Sequence, residues 1–169
     1  MTKSIKILAV LVVLATSGIY AQTPKFGHVN STQLLGMMPE TKVADSSLQK
    51  FGSSLEAQLK TMSAEYDSKV ADYKEKQSSM AEPIMQAKGK EISDLGDRIQ
   101  DFQQSAQSSI QKKKEELYQP IIKKAEDAIH AVGKDKSYTY IFDSGVGVLL
   151  YFQDSDDIMS LVKAKLNLK

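Results

Sequence analysis

Residues 44–73 read ADSSLQKFGSSLEAQLKTMSAEYDSKVADY, and the spacing of their apolar side chains decides the fold. Ala44, Leu48, Phe51, Leu55, Leu59, Met62, Tyr66, Val70 and Tyr73 follow one another in a repeated four-three-four pattern, so each position recurs after eleven residues. Eleven residues over three turns give ~3.67 per turn, which suits a straight or slightly right-handed helix pair rather than a left-handed heptad coil. The opposite face is Ser, Gln, Lys and Glu. Glu56–Lys60, Glu65–Lys69, Asp72–Lys76 and, later, Asp94–Arg98 place acid before base at i,i+4. Each such pair adds only about 0.2–0.5 kcal/mol, but that orientation favours a solvated helix. A helix with one apolar stripe needs a partner.

The same chain supplies it. Periodicity is lost over Gln77–Met85, where Ser78, Ser79 and Pro83 predict a turn, because proline is tolerated in a first helical turn but not in an interior. A return helix follows on Ile92, Leu95, Ile99, Phe102, Ala106, Ile110, Leu117, Ile121, Ala125, Ile129 and Val132, with Gly133 as the expected C-cap. The outward helix should be about 55–60 Å long and the return helix somewhat longer. Gly52, Gly89, Gly96 and Pro120 interrupt these helices and are expected to be flexible points in a thin two-helix arm.

Short β-like runs flank the arm. Lys25-Phe-Gly-His-Val-Asn30 reads as a strand, and Asn30 with Gln33 as a helix start. Leu34, Leu35, Met37 and Met38 form a short helix that Pro39 ends. Beyond the arm, Tyr138–Phe142 and Val148–Phe152 flank Asp143-Ser-Gly-Val-Gly147 and predict a β-hairpin. Both faces of these strands are apolar, so the sheet should be covered on both sides, with other copies of the chain supplying part of the cover. Phe26, Val29, Tyr140, Phe142, Val148, Leu150 and Phe152 are the candidate self-association residues. The acidic Asp154–Asp157 run starts a terminal helix that ends on Lys163 and Lys165, complementing the helix dipole. The fold class is therefore α+β. A body of residues 22–39 and 134–169 carries a helical-hairpin arm of residues 40–133.

The first 21 residues read as a leader: Lys3 and Lys6 precede an apolar run from Ile7 to Ile19, with cleavage near Ala21. That run is shorter than the ~20 residues needed to span a bilayer. Cysteine is absent, which excludes a lipidated anchor, a disulfide-stapled module and thiolate chemistry. Such an exported chain fits the periplasm. Losing Lys3 and Lys6 leaves 20 basic against 21 acidic residues, so no basic surplus points to nucleic acid or to an anionic membrane. His28 and His130 are the only histidines, and neither has a ligand-spaced companion. No nucleophile elbow, phosphate loop or dinucleotide fingerprint occurs, so no enzyme and no cofactor is expected.

Taken in order, the leader, Lys25–Asn30 with Leu34-Leu35 and Met38-Pro39-Glu40, the long polar hairpin, and Leu117-Tyr-Gln-Pro120-Ile-Ile resemble the Skp (OmpH-like) periplasmic chaperones. Tyr138–Asp143, Val148–Tyr151 and the acid-started last helix are similar too. The resemblance implies a homotrimer whose strands build a small barrel, with three helical tentacles around a cavity. It also implies ATP-independent holding of unfolded outer-membrane proteins. The near-neutral charge departs from the strongly basic family pattern, so no client-steering field and no lipopolysaccharide site is carried over. Met62, Tyr66, Tyr73, Met80, Ile84 and Met85 are the candidate client-binding residues, a soft apolar set of the kind promiscuous binders use. The first three also serve as the seal between the helices, whereas those near the turn have fewer internal partners. A structural spacer or periplasmic adaptor using the hairpin as a strut is the alternative reading.

Overall fold

The structure is a computed structural model that describes residues 23–168; the leader and its cleavage point lie outside the described residues. Phe26–Val29 forms strand β1, after which Asn30 caps helix α1 (Ser31–Met37) by accepting the Gln33 amide on Oδ1 at 2.9 Å. Met38 is extended, as a residue before proline prefers, and Pro39 opens helix α2 (Pro39–Lys76). A 3₁₀ turn at Gln77–Ser79 and extended Met80 and Ala81 reverse the chain. Helix α3 then runs from Glu82 to Asp135 with Pro83 in its first turn, where the expected turn fell. At ~1.5 Å per residue the two helices are about 57 and 81 Å long.

Helix α3 passes Gly133, which corrects the expected cap. Ser137 takes the left-handed conformation instead (φ 56°), with the Tyr138 amide donating to Gly133 O and the Ser137 amide to Lys134 O. These two bonds satisfy the last carbonyls of the helix by a Schellman motif, so the reversal is fixed by backbone bonding rather than by glycine. Gly133 has another constraint, since a Cβ there would lie 3.2 Å from Ile141 Cδ1.

Strand β2 (Tyr140–Asp143) pairs with β1 in parallel, Phe26 opposite Tyr140 and His28 opposite Phe142. The connection between these neighbours is the whole arm. The predicted hairpin is not formed: Val148–Phe152 is irregular and pairs with no strand, and β1 meets only a bridge from His28 to Asp157 on its other edge. From Val148 to Phe152 no backbone group is hydrogen-bonded to another among the described residues. A 3₁₀ turn (Asp154–Asp156) and helix α4 (Met159–Lys165) close the chain, with the Asp157 carboxylate accepting the Met159 amide at 2.7 Å.

One sheet face packs on helices. Val29, Leu34, Met38, Ile158 and Val162 are buried there against Ala44, Ile121, Ala125, Ala128 and Val132, so the foot of the arm lies inside the body's core. Burying each large side chain contributes roughly 1.5–3 kcal/mol. Gly27 belongs to this layer because a Cβ would approach Tyr138 Cε1 to 2.9 Å and Ile158 Cγ2 to 3.0 Å.

Candidate functional site: an open aromatic sheet face and a self-sealed arm

Period-two alternation puts Phe26, His28, Tyr140 and Phe142 on the sheet face away from that core. The Phe26, Tyr140 and Phe142 rings lie 6.0–6.2 Å apart, centroid to centroid, and are 41–58% exposed. Beside them Val148 and Tyr151 are exposed and Leu150 is 98% exposed, while Phe152 covers His28 with ring centroids 4.3 Å apart. A contiguous apolar surface next to a segment of unbonded backbone has the composition of a contact surface rather than of a solvated one. Val29 differs from the other self-association candidates: at 2% exposure it is enclosed by its own core.

Asp143 ties this sheet to the start of α1. Its carboxylate accepts the Ser31 amide at 3.1 Å, the Ser31 hydroxyl and the Gly145 amide at 2.7 Å. Burial opposes ionisation here, but these donors outweigh it and hold the carboxyl below its usual range. The Asp-Ser-Gly sequence signals a turn. Nothing in the linear sequence links it to Ser31, more than a hundred residues earlier.

The arm completes itself. Tyr66 lies over Gly96, 3.5 Å from where a Cβ would stand, and the Tyr73 hydroxyl lies 3.9 Å from the same point on Gly89. Gly89 and Gly96 thus sit opposite tyrosines of the facing helix, whereas Gly52 faces open space. Lys69 pairs across the arm with Glu91 at 2.6 Å, and Lys88 with Asp72 at 2.8 Å, while Lys76 also holds Asp72 within α2. Hydrogen bonds from Lys76 and Lys88 bring the Asp72 carboxyl down to about 2. At the foot, Lys124 pairs with Glu40, and the Tyr118 hydroxyl donates to Asp45, which pushes the phenol up. Between these clasps no side-chain hydrogen bond or ion pair joins the described helices. Of the i,i+4 pairs expected from sequence, Glu65–Lys69 and Asp72–Lys76 form, whereas Asp94 pairs with Lys90 instead of Arg98.

The client-binding candidates therefore separate. Met62, Tyr66 and Tyr73 are half-buried along the stripe, as are Met80 and Met85 near the turn, while Ile84 is 53% exposed. Val43 and Ile122, exposed on the lower arm, were not singled out by the sequence reading. Ile122 helps line a cleft of about 350 Å³ with Leu35, Ile129, Ile141 and Phe142, continuous with the sheet edge. Its only sequence signal was an apolar residue beside the stripe member Ile121. No group of three or more His, Asp or Glu among the described residues could hold a metal, and none of their helices is long and apolar enough to cross a membrane.

Together these features define a sheet-anchored helical-hairpin protein with one apolar sheet face left open. The family model for outer membrane proteins of the OmpH-like type matches residues 25–166, and the chain belongs to that family. It is also similar in fold to a crystal structure from Caulobacter crescentus CB15 described as an OmpH-like outer membrane chaperone. The TM-score is 0.74 at 15% identity, covering 86% of this chain and 85% of the other. No curated protein sequence matches. Family membership supports a chaperone-type role, and nothing positive points to catalysis.

Proposed function

We propose that the mature chain is an ATP-independent periplasmic holdase that self-associates through its open sheet face and encloses unfolded outer-membrane proteins between its arms. The observation that carries this reading is the contrast between an arm with its own interface and a sheet whose aromatic face and neighbouring Val148–Phe152 backbone lack partners among the described residues. Pairing that segment with another copy would satisfy its backbone and cover Tyr140, Phe142 and Leu150 in one step. On the strength of the family resemblance, the assembly proposed is a homotrimer with a barrel-like body. Projecting arms would then flank a space open at the tips, where Met80, Ile84 and Met85 offer adaptable apolar contacts to clients of no fixed sequence.

The strut or adaptor reading gains from the tyrosines seated over Gly89 and Gly96, since they pack the two helices of the distal arm together. It gives no reason for the open sheet face. The test dilutes a denatured outer-membrane β-barrel protein into purified mature chain without nucleotide. Suppressed light scattering and a soluble complex are expected, with suppression weakened by joint substitution of Met80, Ile84 and Met85 with serine. Undiminished aggregation would overturn the holdase reading.

A further inference from the structure

His28 stands at the centre of the open face, yet it is only 5% exposed, because Phe152 lies over it. Its Nε2 is 3.0 Å from the Gln153 carbonyl oxygen. A carbonyl can only accept, so in the neutral ring the proton sits on Nε2 and Nδ1 is a bare acceptor. Nδ1 is buried and has no hydrogen-bond partner. The ring thus fastens the end of the Val146–Phe152 segment to β1 through an Nε2–H that donates to Gln153 O, while a proton added at Nδ1 would meet no acceptor among the described residues.

We infer that His28 is a pH-sensitive latch: its protonation releases the Phe152–Gln153 segment and weakens self-association through the sheet face. Acid adds an N–H to Nδ1 where no acceptor stands, and places a charge on a ring that is almost wholly withdrawn from water. Among the described residues no carboxylate bonds to the ring. From β2, Asp143 is engaged by Ser31 and Gly145. From the 3₁₀ turn, Asp154 and Asp156 are exposed and form no contact with the ring, while Asp157 accepts from Met159. Lys25, before β1, lies over Tyr138 with its ammonium on the Lys136 carbonyl. Histidine is the side chain that ordinarily changes charge between pH 5 and 8, and the chain has only His28 and the exposed His130.

The inference rests on the self-association reading, and the experiment separates the two. Sedimentation of the mature chain is compared at about pH 7.5 and about pH 5 at fixed ionic strength, for the natural sequence, His28→Gln, His28→Phe and His130→Gln. The natural chain and His130→Gln should weaken in association by at least ~10-fold at the lower pH. His28→Gln, a neutral donor, and His28→Phe should not. Equal association at both values, or equal weakening in the His28 variants, overturns the latch. A natural chain that is monomeric at about pH 7.5 overturns self-association instead. Hydrogen exchange over residues 148–153, corrected for its intrinsic pH dependence, then reads the latch: it should speed up in acid in the natural chain and not in His28→Gln. No difference between them overturns the inference.

Discussion

The distal arm and the body's sheet both carry aromatic and apolar side chains, but these meet opposite fates. In the arm, each helix gives the other what it needs: Tyr66 and Tyr73 lie over Gly96 and Gly89, and Lys69 and Lys88 find Glu91 and Asp72. In the sheet, Phe26, Tyr140 and Phe142 have only one another, and Val148, Leu150 and Tyr151 have nothing. Local antiparallel pairing can be completed within one chain, whereas a two-stranded parallel sheet cannot cover its own second face. The arm is finished by its own sequence, whereas the body keeps an open sheet face, which the proposed self-association would cover.

The largest effects should fall where the body depends on its own core. Ile158→Ala, at a fully buried position beneath Gly27, should cost about 2–5 kcal/mol in chemical denaturation, with loss of association. A cost below that range would mean that partner contacts, not this core, hold the body. Asp143→Asn should follow, at ~1–3 kcal/mol, since it weakens acceptors for three donors. The folded-state carboxyl lies below its unfolded value, so its stabilisation is present above about pH 4 and is lost as pH falls through the folded value. Thermal melts of the natural chain should therefore drop in that acid window, and Asp143→Asn should flatten the drop.

The arm should respond in the opposite direction. Gly96→Ala puts a methyl in ordinary contact with Tyr66 and restores helix propensity, so it should stabilise by about 0.5–1 kcal/mol without altering association. A loss of client holding with stability raised would show that the arm needs Gly96 as a hinge after all. Lys69→Gln, which breaks an exposed pair with Glu91, should leave the melting temperature unchanged.

How much of this was legible follows the same division. The four-three-four stripe, Pro83 and the Asn30 cap announced the helices and the turn, because each is a local signal. The equal seven-residue spacing of Tyr66 with Tyr73 and of Gly89 with Gly96 was also there to be read, had the helices been aligned antiparallel. Val148–Phe152 misled for a physical reason: its composition is that of a strand, but a strand needs a neighbour, and the described residues do not provide one. Ser137 in place of Gly133 and the Asp143–Ser31 link depend on contacts distant in sequence or on backbone geometry that residue type does not encode.

Leu150 gives the most direct test of an arm completed within the chain and a body completed between chains. It is 98% exposed, so Leu150→Asp should leave the stability of the isolated chain unchanged within ~0.5 kcal/mol. Sedimentation equilibrium at neutral pH should find the natural mature chain as an oligomer and Leu150→Asp as a monomer of equal helicity. A natural chain already monomeric, or a variant with undiminished mass, would contradict the account.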